Sequence, residues 1–198
     1  MTSLYLPEIE ANPRAGAYRT LIERAKANGT EYSKIWDLFA FQHDITIHMG
    51  RFTHGVLRQP ASISPGIREL IAAYTSRLNE CGFCTEAHAA AAGELLGDRD
   101  LVARVLRDPE QAPLDERTRV LLRFVRVITT NLPAVSGADV QTVRAAGWDD
   151  EAIYVAITTC ALFNFYNRWI TATGVPRMSD EAHREQGRAL AARGYIRD

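Results

Sequence analysis

The sequence predicts an all-α fold, on three observations. Apolar residues recur at three- and four-residue spacing along most of the chain. Alternating runs of β-branched residues bounded by turn pairs hardly occur. Capping residues followed by Pro open several of the apolar stretches, and Gly or Pro closes them. Taken in order, Asn12-Pro13 reads as a helix start, with Tyr18, Leu21, Ile22 and Ala25 on one face and Gly29 as the stop. A second helix carries Ile35, Trp36, Leu38 and Phe39. A third runs from about Asp44 to Arg58, with Gly50 and Gly55 as places for a kink and Pro60 beyond its end. Ser64-Pro65 opens the next, bearing Ile67, Leu70, Ile71, Tyr74 and Leu78, and the chain breaks at 79–82.

A helix from Cys81 to Leu96 follows, so rich in alanine that neighbours can approach it closely. Shorter helices are expected from Asp98 to Arg107 and from Asp115 to Thr130, where Pro133 stops the run. After a Ser136-capped turn of helix, Asp149 or Asp150 opens a long apolar helix that Gly174 and Pro176 end near Thr173. The last helix spans Ser179 to Arg193, with Gly194 after it.

With 198 residues, 46% of them apolar, and no Gly/Ser linker or charge block, residues 1–198 read as one helical domain. Lys plus Arg (23) nearly cancel Asp plus Glu (24), so no field gathers polyanions and a nucleic-acid partner is not expected. The first residues lack a basic start followed by an apolar stretch, and the run from Tyr154 to Asn167 is too short to span a bilayer. A cytoplasmic location without membrane insertion is therefore expected, where thiols start reduced. Three cysteines at irregular spacing do not form a disulfide scaffold. The stretches from Tyr154 to Phe165 and from Val120 to Ile128 are more apolar than a small monomer needs, which predicts a homo-oligomer.

The chemistry concentrates in Cys81-Gly82-Phe83-Cys84-Thr85-Glu86-Ala87-His88. Spacings of three and four put Cys81, Cys84 and His88 on one helix stripe. Two thiols so placed form and break a disulfide with little backbone change, the helix N-terminus favours thiolate, and an imidazole one turn beyond Cys84 can take its proton. By spacing alone, a Cys-x-x-Cys pair is equally half of a zinc site, and Cys81, Cys84, His88 and Glu69 are all accepted zinc ligand types. Glu69 lies on the preceding helix and reaches the dithiol if the chain turns back at 79–82.

The pattern Glu69-x11-Cys81-x2-Cys84-x3-His88 resembles the alkylhydroperoxidase D-like branch of the carboxymuconolactone decarboxylase superfamily. The segment Asn164-Phe165-Tyr166-Asn167-Arg168-Trp169, followed by Thr173-Gly174-Val175-Pro176, looks like that family's C-terminal part, and the overall likeness is to peroxidase-related members. The resemblance implies an all-helical dimer, trimer or hexamer that reduces hydroperoxides, or a partner's disulfide, at the expense of a thiol or protein reductant. No metal, haem or flavin cofactor is implied. Carried over, Cys84 attacks the peroxide, Cys81 resolves the sulfenic acid and donates a proton, His88 is the base, and Glu69 is its partner. One departure is plain: the better-known members have His between the cysteines, and Phe83 stands there in this chain. Proton transfer then rests on His88 and Glu69, and the ring disfavours thiolate by excluding water. A decarboxylase on the same scaffold and a non-catalytic redox sensor or structural oligomer are the alternatives.

The remaining candidates read as structural. Cys160 sits mid-helix among apolar neighbours and reads as core packing. His43, His48 and His54 do not share a helix face and read as polar or capping residues, and His183 reads as a solvated surface residue. Trp36, Trp148 and Trp169 read as core or interface anchors. Asn164, Asn167 and Arg168 either border the dithiol or serve surface and capping roles.

Overall fold

A computed structural model describes residues 3–14 and 16–197. Among them are the α-helices α1 (Pro7–Ala11), α2 (Ala17–Ala27), α3 (Ile35–Phe41), α4 (His43–Arg58), α5 (Pro65–Leu78), α6 (Gly82–Leu96), α7 (Arg99–Arg107), α8 (Glu116–Thr130), α9 (Gly137–Ala145), α10 (Asp150–Thr173) and α11 (Asp180–Arg193), with a 3₁₀ turn at Leu132–Ala134. No strand is present among the described residues, in agreement with the predicted all-α class.

The capping residues set most of the boundaries. Ser64, Asp98, Asp115, Asp149 and Ser179 each accept a hydrogen bond from a first-turn N–H, and Ser136 with Asp139 forms a capping box. The start expected at Asn12-Pro13 is displaced. A short helix, α1, precedes it, and the Asn12 amide nitrogen donates to the Glu8 carbonyl at 2.8 Å, so Asn12 closes that helix rather than opening the next. Pro13 lies in the connection, and α2 begins after Gly16, whose φ of 84° is left-handed. A polar cluster ties α1 to α3: Lys34 Nζ reaches Glu10 at 2.5 Å and the Tyr32 hydroxyl at 2.9 Å, and Asp37 lies fully buried beside them. Helix α4 runs unbroken through Gly50 and Gly55.

The α5–α6 hairpin is the centre of the molecule. Helix α10 packs on α5 and α11 packs on α6. The largest apolar cluster joins α5 to α10 through residues such as Leu70, Ile71, Leu121, Leu122, Phe124 and Ile153. Burial of these side chains away from water is the main source of stability. The alanines of α6 allow close approach: Gly187 of α11 sits so near Ala90 and Ala91 that a Cβ added there would meet the Ala90 Cβ at 2.5 Å. A smaller cluster surrounds the dithiol with Leu4, Leu38, Phe83, Ile170, Val175 and Met178. No helix among the described residues is long and apolar enough to cross a membrane.

Candidate active site

The turn between α5 and α6 aims the site. Asn79 ends α5, and Glu80 takes a φ of 57°, the one left-handed non-glycine position among the described residues. The Cys81 N–H then donates to the Ser76 carbonyl at 3.0 Å. Helix α10 clamps this turn: the Asn79 amide donates to Asn167 Oδ1 at 2.9 Å and Asn164 Oδ1 at 3.1 Å, while the Asn167 amide donates to Ser76 Oγ at 2.9 Å. The reversal folds Glu69 back onto α6.

Cys81 occupies the N-cap of α6 and Cys84 its first turn, both as buried free thiols. The Cys81 thiol is drawn down to about 6, chiefly by a hydrogen bond from the Cys84 thiol. Burial opposes this, and the Cys84 backbone N–H, Thr171 and Asn167 assist it. Cys84 is pushed well above its ordinary value because it donates to Cys81 and is buried. The two thiols therefore titrate as a coupled pair, with Cys81 drawn to the more acidic side and Cys84 to the more basic. The spacing that places His88 one turn beyond Cys84 does not by itself bring the imidazole into hydrogen-bond contact with either sulfur.

Glu69 is completely buried and serves three partners. Its Oε2 lies 2.7 Å from His88 Nδ1, and its Oε1 accepts from Arg58 at 2.5 Å and from the Tyr195 hydroxyl at 2.6 Å. Burial alone would raise this carboxyl; the hydrogen bond and charge of His88, then Arg58 and Tyr195, hold it below the usual carboxylate range. With Nδ1 engaged, Nε2 is the His88 nitrogen left for chemistry. The structure thus joins Cys81 to Cys84 and Glu69 to His88, whereas among the described residues no hydrogen bond links one pair to the other. Both open on a cavity of about 360 Å³ whose walls include Cys84, His88, Phe83, Phe163, Tyr166 and Ile170. Cys84, not Cys81, faces it. No group of three or more His, Cys, Asp or Glu side chains is arranged to hold a metal ion among the described residues.

Other sequence candidates resolve by burial. His183 is not a surface residue: it is 3% exposed, its Nε2 accepts from the Met178 N–H at 3.1 Å, and its ring lies 5.6 Å from that of Phe83. Burial, then the Arg177 charge, pushes its imidazole down to about 4. The i, i+4 pattern of α11 turns this residue inward against α6, which polarity alone did not reveal. Asn167 is buried beside the dithiol, Asn164 is half-buried on the Asn79 clamp, and Arg168 is exposed. Cys160 is buried at 3.3 Å from Thr129 Oγ1. Trp148 is buried with its indole N–H donating to the Arg117 carbonyl, while Trp36 borders the cavity. Arg58 and Tyr195 were not legible as site residues; the Gly194-Tyr195 pair after α11 is the one local signal, a turn followed by an aromatic.

Residues 46–123 match the profile of the carboxymuconolactone decarboxylase family, a segment that contains Glu69, Cys81, Cys84 and His88. No curated protein matches the chain in sequence. Among solved structures, an uncharacterized peroxidase-related protein from a Silicibacter species is 26% identical, with a TM-score of 0.71 over 83% of this chain and 86% of that one. A peroxidase-related protein from Ralstonia eutropha, described as an alkylhydroperoxidase AhpD core, is 21% identical, with a TM-score of 0.71 over 84% and 88%. A protein of unknown function from Agrobacterium tumefaciens is 19% identical, with a TM-score of 0.58 over 69% and 91%. The chain thus has the helical fold of peroxidase-related proteins of known structure, and its motif-bearing segment is similar to the carboxymuconolactone decarboxylase family.

Proposed function

We propose that this protein is a dithiol peroxidase that reduces organic hydroperoxides through Cys84 and Cys81. The observation that carries the reading is a coupled thiol pair whose more basic member, Cys84, faces an apolar cavity that also holds a carboxylate-supported imidazole. The aromatic and aliphatic walls favour a hydroperoxide with an apolar body.

A hydroperoxide bound between Cys84 and His88 closes the gap that separates the two pairs. Cys84 sulfur attacks the terminal peroxide oxygen while His88 takes the thiol proton. The O–O bond breaks, His88 returns the proton to the leaving alkoxide, and an alcohol departs as Cys84 becomes sulfenic acid. Cys81, already thiolate, attacks the Cys84 sulfur; the S–S bond forms, and hydroxide leaves as water with a proton from solvent. Two equivalents of an external thiol, or one protein dithiol, then reduce the disulfide.

One equivalent of cumene hydroperoxide should remove both motif thiols and lower the intact mass by two hydrogens, and added dithiol should restore them over repeated turnovers. Cys84→Ser should abolish peroxide consumption, whereas Cys81→Ser should accumulate sulfenic or over-oxidised Cys84. A single stoichiometric oxidation without turnover would make the protein a sensor, and sulfenic acid trapped on Cys81 in the Cys84→Ser variant would reverse the roles.

A further inference from the structure

The segment after α11 enters the site. Helix α11 ends at Gly194, whose φ of 68° is left-handed and whose added Cβ would collide with the His54 ring. The chain turns there, the Tyr195 N–H donates to His54 Nδ1 at 3.3 Å, and Arg58 donates to the Leu190 carbonyl at 3.0 Å. These contacts seat the Tyr195 ring nearly parallel to that of His88, at 17°, and beneath the Arg58 guanidinium. Its hydroxyl lies 2.6 Å from Glu69 Oε1 and 3.3 Å from His88 Nδ1. Burial and the Glu69 charge keep the phenol protonated, so it donates.

We propose that Tyr195 is a positioning residue of the peroxidatic site, which together with Arg58 binds Oε1 of Glu69 and thereby fixes the Glu69–His88 pair. This rests on the reading above. The phenol does not touch the cavity-facing sulfur; it acts through Glu69. A carboxylate that accepts from Tyr195 and Arg58 pulls less on the imidazole proton than one left to His88 alone, so the phenol keeps His88 available as a base. The titratable and charged groups around His88 are Glu69 from α5, Arg58 from α4, Cys84 on its own helix, Tyr166 from α10, His183 from α11 and Tyr195 itself. Tyr195 is the one among them that bonds Glu69 directly without carrying charge.

The test is Tyr195→Phe, with Gly194→Ala as a second variant that keeps the phenol but displaces it through the clash with His54. Each is followed by His88 ring NMR titration and by the pH profile of disulfide formation with cumene hydroperoxide. In Tyr195→Phe, the His88 titration and the acid limb of the rate profile should both move up by ~0.5 pH unit or more, and kcat should fall about tenfold with KM little changed. Gly194→Ala should move the profile in the same direction. An unchanged His88 titration and an unchanged pH profile in folded Tyr195→Phe would overturn the assignment. Should the wild type show no turnover while the His88 titration still shifts, the positioning role stands and the peroxidase reading falls.

Discussion

At the scale of single residues, the sulfur drawn to the more acidic side, Cys81, is the one that does not face the cavity. Thiolate absorbance near 240 nm should therefore rise in two separated steps, one near pH 6 from Cys81 and one well above 9 from Cys84. Cys81→Ser should delete the lower step; a single step near the ordinary thiol value would contradict the coupled pair. Glu69 offers a second measurement. Its carboxyl is held below its unfolded value, so its stabilisation is complete above about pH 4.5 and is lost as pH falls through the lower folded value. Glu69→Gln removes that acid dependence and leaves Arg58 buried beside a neutral amide, at a cost of roughly 3–5 kcal/mol in denaturant unfolding at pH 7. Equal wild-type and variant stabilities at neutral pH would show that the pair contributes nothing. Cys81, Cys84 and His88 were legible because their spacing is local to one helix, and Glu69 because a single short turn joins its helix to theirs. Arg58 and Tyr195 reach the same place from other elements, and linear spacing carries no sign of that.

At the scale of elements, helix boundaries followed caps. Where a Ser or Asp precedes a first turn, as at Ser64, Asp98, Asp115, Asp149 and Ser179, the structure begins a helix at the next residue. Asn12-Pro13 has the same local appearance, yet Asn12 bonds backward to Glu8, because α1 is held by the Glu10–Lys34 contact to α3. That tertiary contact overrides the local signal. The burial of His183 was hidden for a related reason: α11 is polar on average, and only its seat on the alanine face of α6 decides which side turns in. This seat is testable. Gly187→Ala places a methyl against Ala90 and the α6 backbone and should cost roughly 1–3 kcal/mol, with a lowered Tm by calorimetry. An unchanged Tm would mean that α11 shifts away from α6 without loss.

At the scale of the whole molecule, α4 and α10 each expose two large apolar side chains, beside Tyr5, Leu6, Leu132 and Ile196 elsewhere. Tyr154 (70%) and Phe165 (51%) face outward from α10, and Ile45 (60%) and Phe52 (56%) from α4. Val120 and Ile128 pack partly into the main cluster, so the excess surface anticipated along α8 is smaller than that on α10. We expect self-association through α10. Light scattering at micromolar concentration should give a multiple of the 22.1 kDa chain mass, and Phe165→Glu should shift it toward the monomer. A monomer in the wild type would refute this.

The stabilised Cys81 thiolate also fixes the direction in which electrons prefer to sit. Lowering its pKa to about 6 favours the reduced pair at pH 7 and raises the two-electron reduction potential on the order of 30 mV above that of an unperturbed pair. The disulfide is then an oxidising one, and Cys81 is the better leaving group when an incoming thiolate attacks the Cys84 sulfur. At equilibrium with a reducing solution the pair would therefore lie toward dithiol. Equilibration against glutathione buffers of graded ratio measures this directly, and a potential below that of an ordinary structural disulfide would place the charge elsewhere.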